Sequence, residues 1–211
     1  TCLPQEALAE QAAGLMEVDA AEVGMTLGRM ILEQRLICDN REDGAYIYNP
    51  SFYFAEMAIA KKLREMTAAA PKKVPDLDKQ VDCIECERRI TLAAQQKKAV
   101  QMAMENGLLV ITGGPGTGKT TIINCILDLM EGEALSVELA APTGRAAKRM
   151  AETTGREART IHRMLEYAYG EGDGYAFGRD EDNPIQADAV IIDEMSMVDI
   201  LLMHHLMKAV S

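Results

Sequence analysis

A glycine-rich run in the middle of the chain has the composition of a phosphate-binding loop. The run Gly113-Gly114-Pro115-Gly116-Thr117-Gly118-Lys119-Thr120 fits the pattern G-x-x-x-x-G-K-T, follows an apolar run at 108–112 and precedes a helical pattern that begins at Thr121. Glycines let the backbone wrap closely around phosphate, and the loop amides and the helix amino terminus stabilise its negative charge. Lys119 then reaches the terminal phosphates, and the Thr120 hydroxyl ligates Mg²⁺. We therefore expect the residues from Gly113 through Thr121 to bind a nucleoside triphosphate with Mg²⁺.

Two adjacent carboxylates, Asp193 and Glu194, follow the apolar run at 189–192. In phosphate-loop enzymes a carboxylate at such a strand end holds Mg²⁺, and a neighbouring glutamate can orient and deprotonate the attacking water. The pair favours hydrolysis, with Asp193 at the metal beside Thr120 and Glu194 as the base. Lys119, Asp193 and Glu194 are thus the expected catalytic residues. Guanine-specific enzymes use an Asn-Lys-x-Asp element, which this sequence lacks, so ATP is the expected nucleotide.

Between these motifs lies a locally basic segment in an otherwise acidic chain. Residues 143–163 include six basic and two acidic side chains, whereas the whole chain carries a net charge of −11. Such a segment at a strand end can place cations and helix amides against backbone phosphates. It can equally be a solvated helix face that pairs with the acidic surplus, and composition leaves both interpretations open. The segment holds no Phe, Tyr or Trp, so electrostatic attraction would supply most of any binding to nucleic acid.

The patterns around these motifs predict an α/β architecture for residues 76–211. Helical spacing extends over 79–106 and 121–130, and apolar runs suited to strands occur at 108–112, 136–141 and 189–192. Apolar β-forming runs that alternate with helices are typical of parallel strands covered on both faces.

The first 75 residues predict a separate, smaller α+β module. Helical spacing over 5–16 and 19–34 precedes two short strands at 35–38 and 45–48, which are joined by a turn-rich segment, and a third helix covers 51–69. This order of elements is that of a winged-helix module, although a generic α+β cap has the same parts. The prolines and charges of residues 70–78 indicate a linker, with the boundary near residue 75.

Composition and termini exclude several classes of protein. With 48% hydrophobic and 26% charged residues, the chain is neither disordered nor fibrous. It has no apolar run near the roughly 20 residues that span a bilayer and no signal-peptide pattern at its start, so we expect a cytoplasmic location and no membrane partner. Because the sequence begins without Met and ends inside a helical pattern, we expect a piece of a longer protein.

Four ordered segments resemble motifs I, Ia, Ib and II of superfamily 1 DNA helicases. They are the phosphate loop, Ala141-Pro142-Thr143-Gly144-Arg145-Ala146-Ala147, Thr160-Ile161-His162-Arg163-Met164-Leu165 and the segment from Val190 to Asp199. They are most similar to the RecD-like family, the exodeoxyribonuclease V alpha-subunit type. The resemblance implies a RecA-like ATPase domain, strong over 92–211 and weaker over the amino-terminal part.

The resemblance also implies a function. It implies ATP-driven 5′ to 3′ movement along single-stranded DNA, with strand separation in repair or recombination and with other proteins of those processes as partners. By register with the family's Q motif, Gln96 would read adenine, although the family's usual Ser is replaced by Ala93. The expected contacts to single-stranded DNA are Thr143, Gly144, Arg145, Thr160 and His162.

The family closes ATP between two RecA-like domains, and the second supplies an arginine that speeds hydrolysis. This chain ends before motif III, so we expect it to bind nucleotide better than it hydrolyses it. The strand that follows motif II in the family lies between the phosphate-loop strand and the motif II strand, so we expect the sheet to be incomplete at its C-terminal end. Two alternatives stay open: a phosphotransferase with the same loop, and a non-catalytic module that binds nucleotide or DNA.

Overall fold

The computed structural model describes residues 2–68, 74–114, 116–169 and 175–211. The chain forms two compact units. One consists of Thr1–Ala60 with Asp199–His204, and the other of Lys61–Val198 with His205–Ser211. None of the helices that the structure describes is both long and apolar enough to cross a membrane.

The first unit contains a three-stranded antiparallel sheet and two short helices. Its elements are β1 (Cys2–Pro4), α1 (Gln5–Met16), α2 (Ala20–Leu32), β2 (Ile37–Arg41), β3 (Gly44–Tyr48) and the first half of α3 (Pro50–Ala68). The predicted helices and hairpin are confirmed, and Asp19 caps α2 by accepting a 2.8 Å hydrogen bond from the Ala21 N–H. The sheet order is β1-β3-β2. Strand β1 could not be predicted, because three residues are too few to show strand alternation.

Three helices build the main core of the second unit. They are α4 (Leu77–Arg88), α5 (Ala94–Glu105) and α6 (Lys119–Gly132). The continuous helical pattern predicted over 79–106 is wrong at residues 89–93, because Arg89 adopts a left-handed conformation (φ 53°) that ends α4. The shared core of the three helices consists of Leu77, Val81, Ile84, Leu92, Val100, Ile122, Cys125, Ile126, Leu129 and Met130.

A parallel sheet follows these helices and confirms the predicted α/β class. Its elements are β4 (Val137–Ala141), α7 (Gly144–Thr154), β5 (Arg159–Thr160), α8 (Ile161–Met164) and β8 (Ala189–Ile192), with the strand order β5-β4-β8. Between α8 and β8 lies an antiparallel pair, β6 (Ala168–Tyr169) and β7 (Tyr175–Ala176). A 3₁₀ turn (Met195–Met197) and α9 (Ile200–Ala209) come last.

Hydrogen bonds at the amino ends of β4 and β8 fix the register between these strands. The Ser136 N–H and hydroxyl both donate to the Asp188 carboxylate, at 2.8 and 2.6 Å, and the Asp188 N–H donates to the Ser136 hydroxyl at 3.0 Å. In this register Ala140 pairs with Ile192, while Ala141 pairs with Thr160 of β5. The carboxyl ends of the three strands therefore lie side by side.

The prediction of a strand at 108–112 is wrong, since none of the described strands pairs with this run. Ile111 nevertheless packs against the core that also contacts Ala189 and Ile191. An extended run becomes a strand only when a neighbour completes its hydrogen-bond ladder. The described residues after Asp193 form the 3₁₀ turn and α9, and they supply no strand to pair with this run.

Candidate active site

The phosphate loop is shaped by glycines and held closed by its own lysine. Gly116 and Gly118 have φ values of 74° and 83°, in the left-handed region that side chains other than hydrogen disfavour. The Lys119 ammonium donates hydrogen bonds to the carbonyl oxygens of Gly113 and Gly114, at 2.6 and 2.8 Å. The lysine charge thus already lies over the loop. Pro115 lies outside the described residues.

Helix α6 begins directly at the end of this loop. Because its first residue is Lys119, the N–H groups of Thr120 and Thr121 belong to the first turn, where an α-helix has no internal acceptors for them. A Thr hydroxyl is a hard oxygen ligand of the kind that Mg²⁺ takes, and Thr120 is exposed beside the loop. The donors and ligands present therefore fit a magnesium-bound triphosphate.

The side-chain amide of Gln96 lies against the phosphate loop. Its Nε2 donates a 3.0 Å hydrogen bond to the Thr117 carbonyl, and its Oε1 accepts a 2.8 Å hydrogen bond from the Ala93 N–H. A Cβ atom added to Gly118 would lie only 2.5 Å from that Nε2 atom. Gln96, which the family resemblance assigns to adenine, and the loop that we expect to bind phosphate are thus in direct contact.

The carboxylate pair stands at the carboxyl end of β8. The Asp193 N–H donates to the Ala140 carbonyl at 3.0 Å, which extends the β4–β8 pairing by one residue. Glu194 is exposed and adopts a left-handed conformation (φ 56°, ψ 40°), and its N–H donates to Asp193 Oδ1 at 2.9 Å. A non-glycine residue in this conformation is strained by about 1–3 kcal/mol, and such strain is concentrated at functional sites.

Threonines of the other two strand ends cap the helices that follow. Thr143 Oγ1 accepts a hydrogen bond from the Ala146 N–H, and Thr160 Oγ1 accepts one from the Arg163 N–H, each at 3.2 Å. Gly144 opens α7, where both it and Arg145 are exposed. Thr160 ends β5, whereas Thr143 and Asp193 follow β4 and β8, so the three residues lie at the carboxyl ends of neighbouring strands.

The basic segment divides into paired and unpaired side chains. Arg156 contacts Glu131 at 2.5 Å and Asp128 at 3.0 Å, and Arg159 pairs with Glu138 and Glu157. Lys148 pairs only loosely with Glu152, at 3.9 Å. Within the described part of the chain, no hydrogen bond or ion pair involves the side chains of Arg145, Arg149 and Arg163. The interpretation as a face that pairs with the acidic surplus therefore holds for Arg156 and Arg159, whereas contact of the other arginines with nucleic acid stays a prediction.

His162 belongs to an aromatic cluster that the sequence did not reveal. Its ring lies 5.4 Å from that of Tyr167 and 6.2 Å from that of Phe177, and Phe177 in turn lies 4.3 Å from His205. Burial and nearby Lys208 lower the pKa of His205. Tyr167 and Phe177 lie just beyond the basic segment, so only the fold shows that aromatic rings accompany the expected DNA contacts.

Comparisons with known proteins agree with this geometry. A family model described as an AAA domain matches residues 96–211. The ATP-dependent RecD2 DNA helicase of Deinococcus radiodurans is 37% identical over 78% of this chain and 22% of its own length. The RecBCD enzyme subunits RecD of Mycobacterium tuberculosis and Mycolicibacterium smegmatis are 35% and 30% identical, over 74% and 79% of this chain and 29% and 33% of their own lengths. The matched part of the chain spans about a fifth to a third of the length of each of these relatives.

Proposed function

We propose that this chain binds and hydrolyses ATP for a DNA helicase in repair or recombination. The chain belongs to the AAA-domain family and is related to the RecD helicases. The observation that carries the proposal is the contact between Gln96 and the Thr117 carbonyl. This contact places Gln96, which is expected to bind the base, next to the loop that is expected to bind the phosphates. One adenine nucleotide could therefore contact both.

Each residue of the site then has a defined task. When ATP binds, the Lys119 ammonium leaves the two loop carbonyls and donates hydrogen bonds to the terminal phosphate oxygens instead. The main-chain N–H groups in the first turn of α6 also stabilise the negative charge of the phosphates. Thr120 and Asp193 hold Mg²⁺, which neutralises charge on the phosphates when it is bound. Glu194 orients the attacking water and accepts its proton.

DNA would follow the neighbouring strand ends. Thr143, Gly144 and Arg145 at the end of β4 and Thr160 and His162 at the end of β5 supply hydroxyl, amide and cationic groups suited to backbone phosphates. We take 5′ to 3′ movement on single-stranded DNA from the family resemblance. Thr143 and Asp193 follow the paired strands β4 and β8, so a shift of either strand when nucleotide binds would also move residues proposed to contact DNA.

The remaining assignments are proposals of the same kind. Residues 1–75 form a winged-helix-like module with its linker, and residues 76–211 form the front part of the motor domain. Other recombination or repair proteins are the proposed partners, because two of the relatives are named as subunits of the RecBCD enzyme. Because the family resemblance implies an arginine from a second RecA-like domain, residues 1–211 assayed alone should bind ATP better than they hydrolyse it.

Nucleotide binding by three variants tests the proposal. Lys119→Ala removes the charge over the loop and should abolish ATP binding, whereas Lys148→Ala, an exposed lysine loosely paired on α7, should leave it unchanged. Glu194→Gln should bind ATP normally but lose hydrolysis. Normal ATP binding by Lys119→Ala would refute the assignment of the loop, and transfer of phosphate from ATP to a small alcohol would favour a phosphotransferase instead.

A further inference from the structure

Helix α4 holds the start of helix α5 through a row of acidic side chains. Asp78, Asp82 and Glu85 follow one another at helical spacing on α4. Asp82 and Glu85 contact Lys97 in the first turn of α5, and Asp78 contacts Gln101 further along the same helix. Glu85 is the innermost of them, since its side chain is only 12% exposed.

Glu85 makes two contacts on either side of the first turn of α5. Its Oε1 accepts a 2.6 Å hydrogen bond from the Leu92 N–H, and its Oε2 lies 2.5 Å from the Lys97 ammonium. Asp82 also pairs with Lys97, at 2.9 Å, but Leu92 is bonded by Glu85. One carboxylate therefore spans the residues that enclose Ala93 and Gln96.

This turn depends on side chains from elsewhere because it has no cap of its own. Ala93 occupies the N-cap position of α5 and has no side-chain oxygen to accept a hydrogen bond from the helix. The N–H groups of Leu92 and Ala93 are instead bonded by Glu85 and Gln96. Since Leu92 is buried (5% exposed), loss of Glu85 leaves a donor with no acceptor and the turn must shift to reach water.

We propose that Glu85 is a positioning residue that sets the preference of the site for adenine by fixing where Gln96 stands. The inference rests on the proposed function, in which Gln96 reads the base. Gln96 is one residue from Lys97 and three from Ala93, so a shift of this turn moves its amide away from the Thr117 carbonyl. Hydrogen bonds to a base tolerate little displacement, whereas the phosphate contacts of Lys119 lie on another helix and do not depend on this turn.

The carboxylate is suited to this role at neutral pH. Hydrogen bonds from Lys97 and from the Leu92 N–H hold the pKa of Glu85 below its ordinary value, so the group stays ionised. Hydrogen bonds to Glu85 and Asp82 raise the pKa of Lys97. Both partners therefore stay charged over the range in which ATP binding is measured.

The test compares dissociation constants for ATP and GTP, measured by competition against a fluorescent nucleotide in the complete chain. The ratio of the GTP to the ATP constant isolates base reading from phosphate binding. Gln96→Ala should lower this ratio by about tenfold, the value of one or two hydrogen bonds. Glu85→Ala should lower it by about threefold to tenfold, mainly through weaker ATP binding.

Three further variants separate positioning from stability. Glu85→Gln keeps an acceptor for the Leu92 N–H and should restore most of the ratio, and Asp82→Asn, which weakens only the Lys97 pairing, should leave it unchanged. In the double variant Glu85→Ala with Gln96→Ala, the ratio should fall no further than in Gln96→Ala alone, because both changes act on one contact. Circular dichroism confirms that each variant is folded.

The outcomes distinguish adenine reading by Gln96 from positioning of that residue by Glu85. An unchanged ratio in Gln96→Ala overturns adenine reading itself, and the role of Glu85 is overturned with it. A lowered ratio in Gln96→Ala together with an unchanged ratio in Glu85→Ala overturns only the positioning role. Equal losses of ATP and GTP affinity in Glu85→Ala also contradict it, since they show a general structural effect.

Discussion

The side-chain amide of Gln96 donates a hydrogen bond to the main-chain carbonyl of Thr117, and the two atoms are 3.0 Å apart. Gln96 lies in the first turn of α5 and Thr117 in the phosphate loop before α6. A Cβ added to Gly118 would lie 2.5 Å from the same amide, so a side chain at this position would displace the end of the Gln96 side chain. If Gln96 reads the base as proposed, the conformation of the loop and base reading are coupled through one glutamine.

This coupling predicts the result of Gly118→Ala. Alanine must adopt the left-handed φ of 83° and push the Gln96 amide aside, so we expect a loss of about 1–2 kcal/mol in the free energy of unfolding together with weaker ATP binding. Gly132→Ala is the control, since Gly132 belongs to the same helix and an added Cβ meets no atom within 4 Å. Urea unfolding and nucleotide titration measure both effects, and equal behaviour of the two variants would contradict the coupling.

Because the backbone of Glu194 is strained, we expect its replacement by glycine to relieve the strain while it abolishes hydrolysis. Its left-handed conformation (φ 56°) suits glycine, so Glu194→Gly should unfold with a free energy about 1 kcal/mol higher than Glu194→Ala. Both variants should lose hydrolysis, since neither has a carboxylate to accept the proton. Thermal or urea unfolding of the pair checks the prediction, and a glycine variant less stable than the alanine variant would show that Glu194 is unstrained.

An ionic cluster behind the basic segment predicts acid sensitivity. Asp128 pairs with Arg88 and contacts Arg156 at 3.0 Å. Burial alone would raise the pKa of Asp128, but the hydrogen bonds from both arginines outweigh burial and hold it below its ordinary value. Because the folded-state pKa is lowered, the cluster stabilises the fold above the ordinary Asp pKa of about 4 and loses this contribution as the pH falls through the lower folded-state value.

Replacement of Asp128 should therefore change the pH profile of stability. Asp128→Ala should cost about 2 kcal/mol at neutral pH and flatten the decline of the unfolding free energy in acid. Glu65→Ala, which removes an exposed i,i+4 pair with Lys61, should cost about 0.5 kcal/mol or less and leave the acid decline intact. Identical acid declines in the parent chain and Asp128→Ala would show that the cluster does not titrate as proposed.

The division of the basic segment predicts opposite effects for two arginines. Arg145→Ala should weaken binding of single-stranded DNA regardless of sequence and reduce the salt slope by about 0.7, without loss of stability. Arg156→Ala should cost about 2 kcal/mol of unfolding free energy and leave the salt slope unchanged, because Glu131 and Asp128 already occupy its guanidinium. DNA titrations at several salt concentrations separate the two, and equal slopes for both variants would contradict the division.

Local patterns predicted the parts of the site that a short run of residues determines. The phosphate loop, the strand before Asp193 and the strand before Thr143 all stand where their apolar runs and glycines indicated. The run at 108–112 failed as a strand because strand formation depends on a neighbour, not on the run itself. No local sequence pattern pointed to Glu85, because its contacts with Leu92 and Lys97 depend on how α4 packs against α5.

The affinity of the chain for single-stranded DNA, measured with and without bound ATP, tests the central claim most directly. Asp193 is hydrogen-bonded to Ala140 of β4, and Thr143 follows that strand, so nucleotide and DNA should each change the affinity for the other by the same factor. We predict that ATP changes the DNA affinity several-fold and that Lys119→Ala removes this change. A DNA affinity that is the same with and without ATP would contradict a nucleotide-driven motor and identify the chain as a passive binding module.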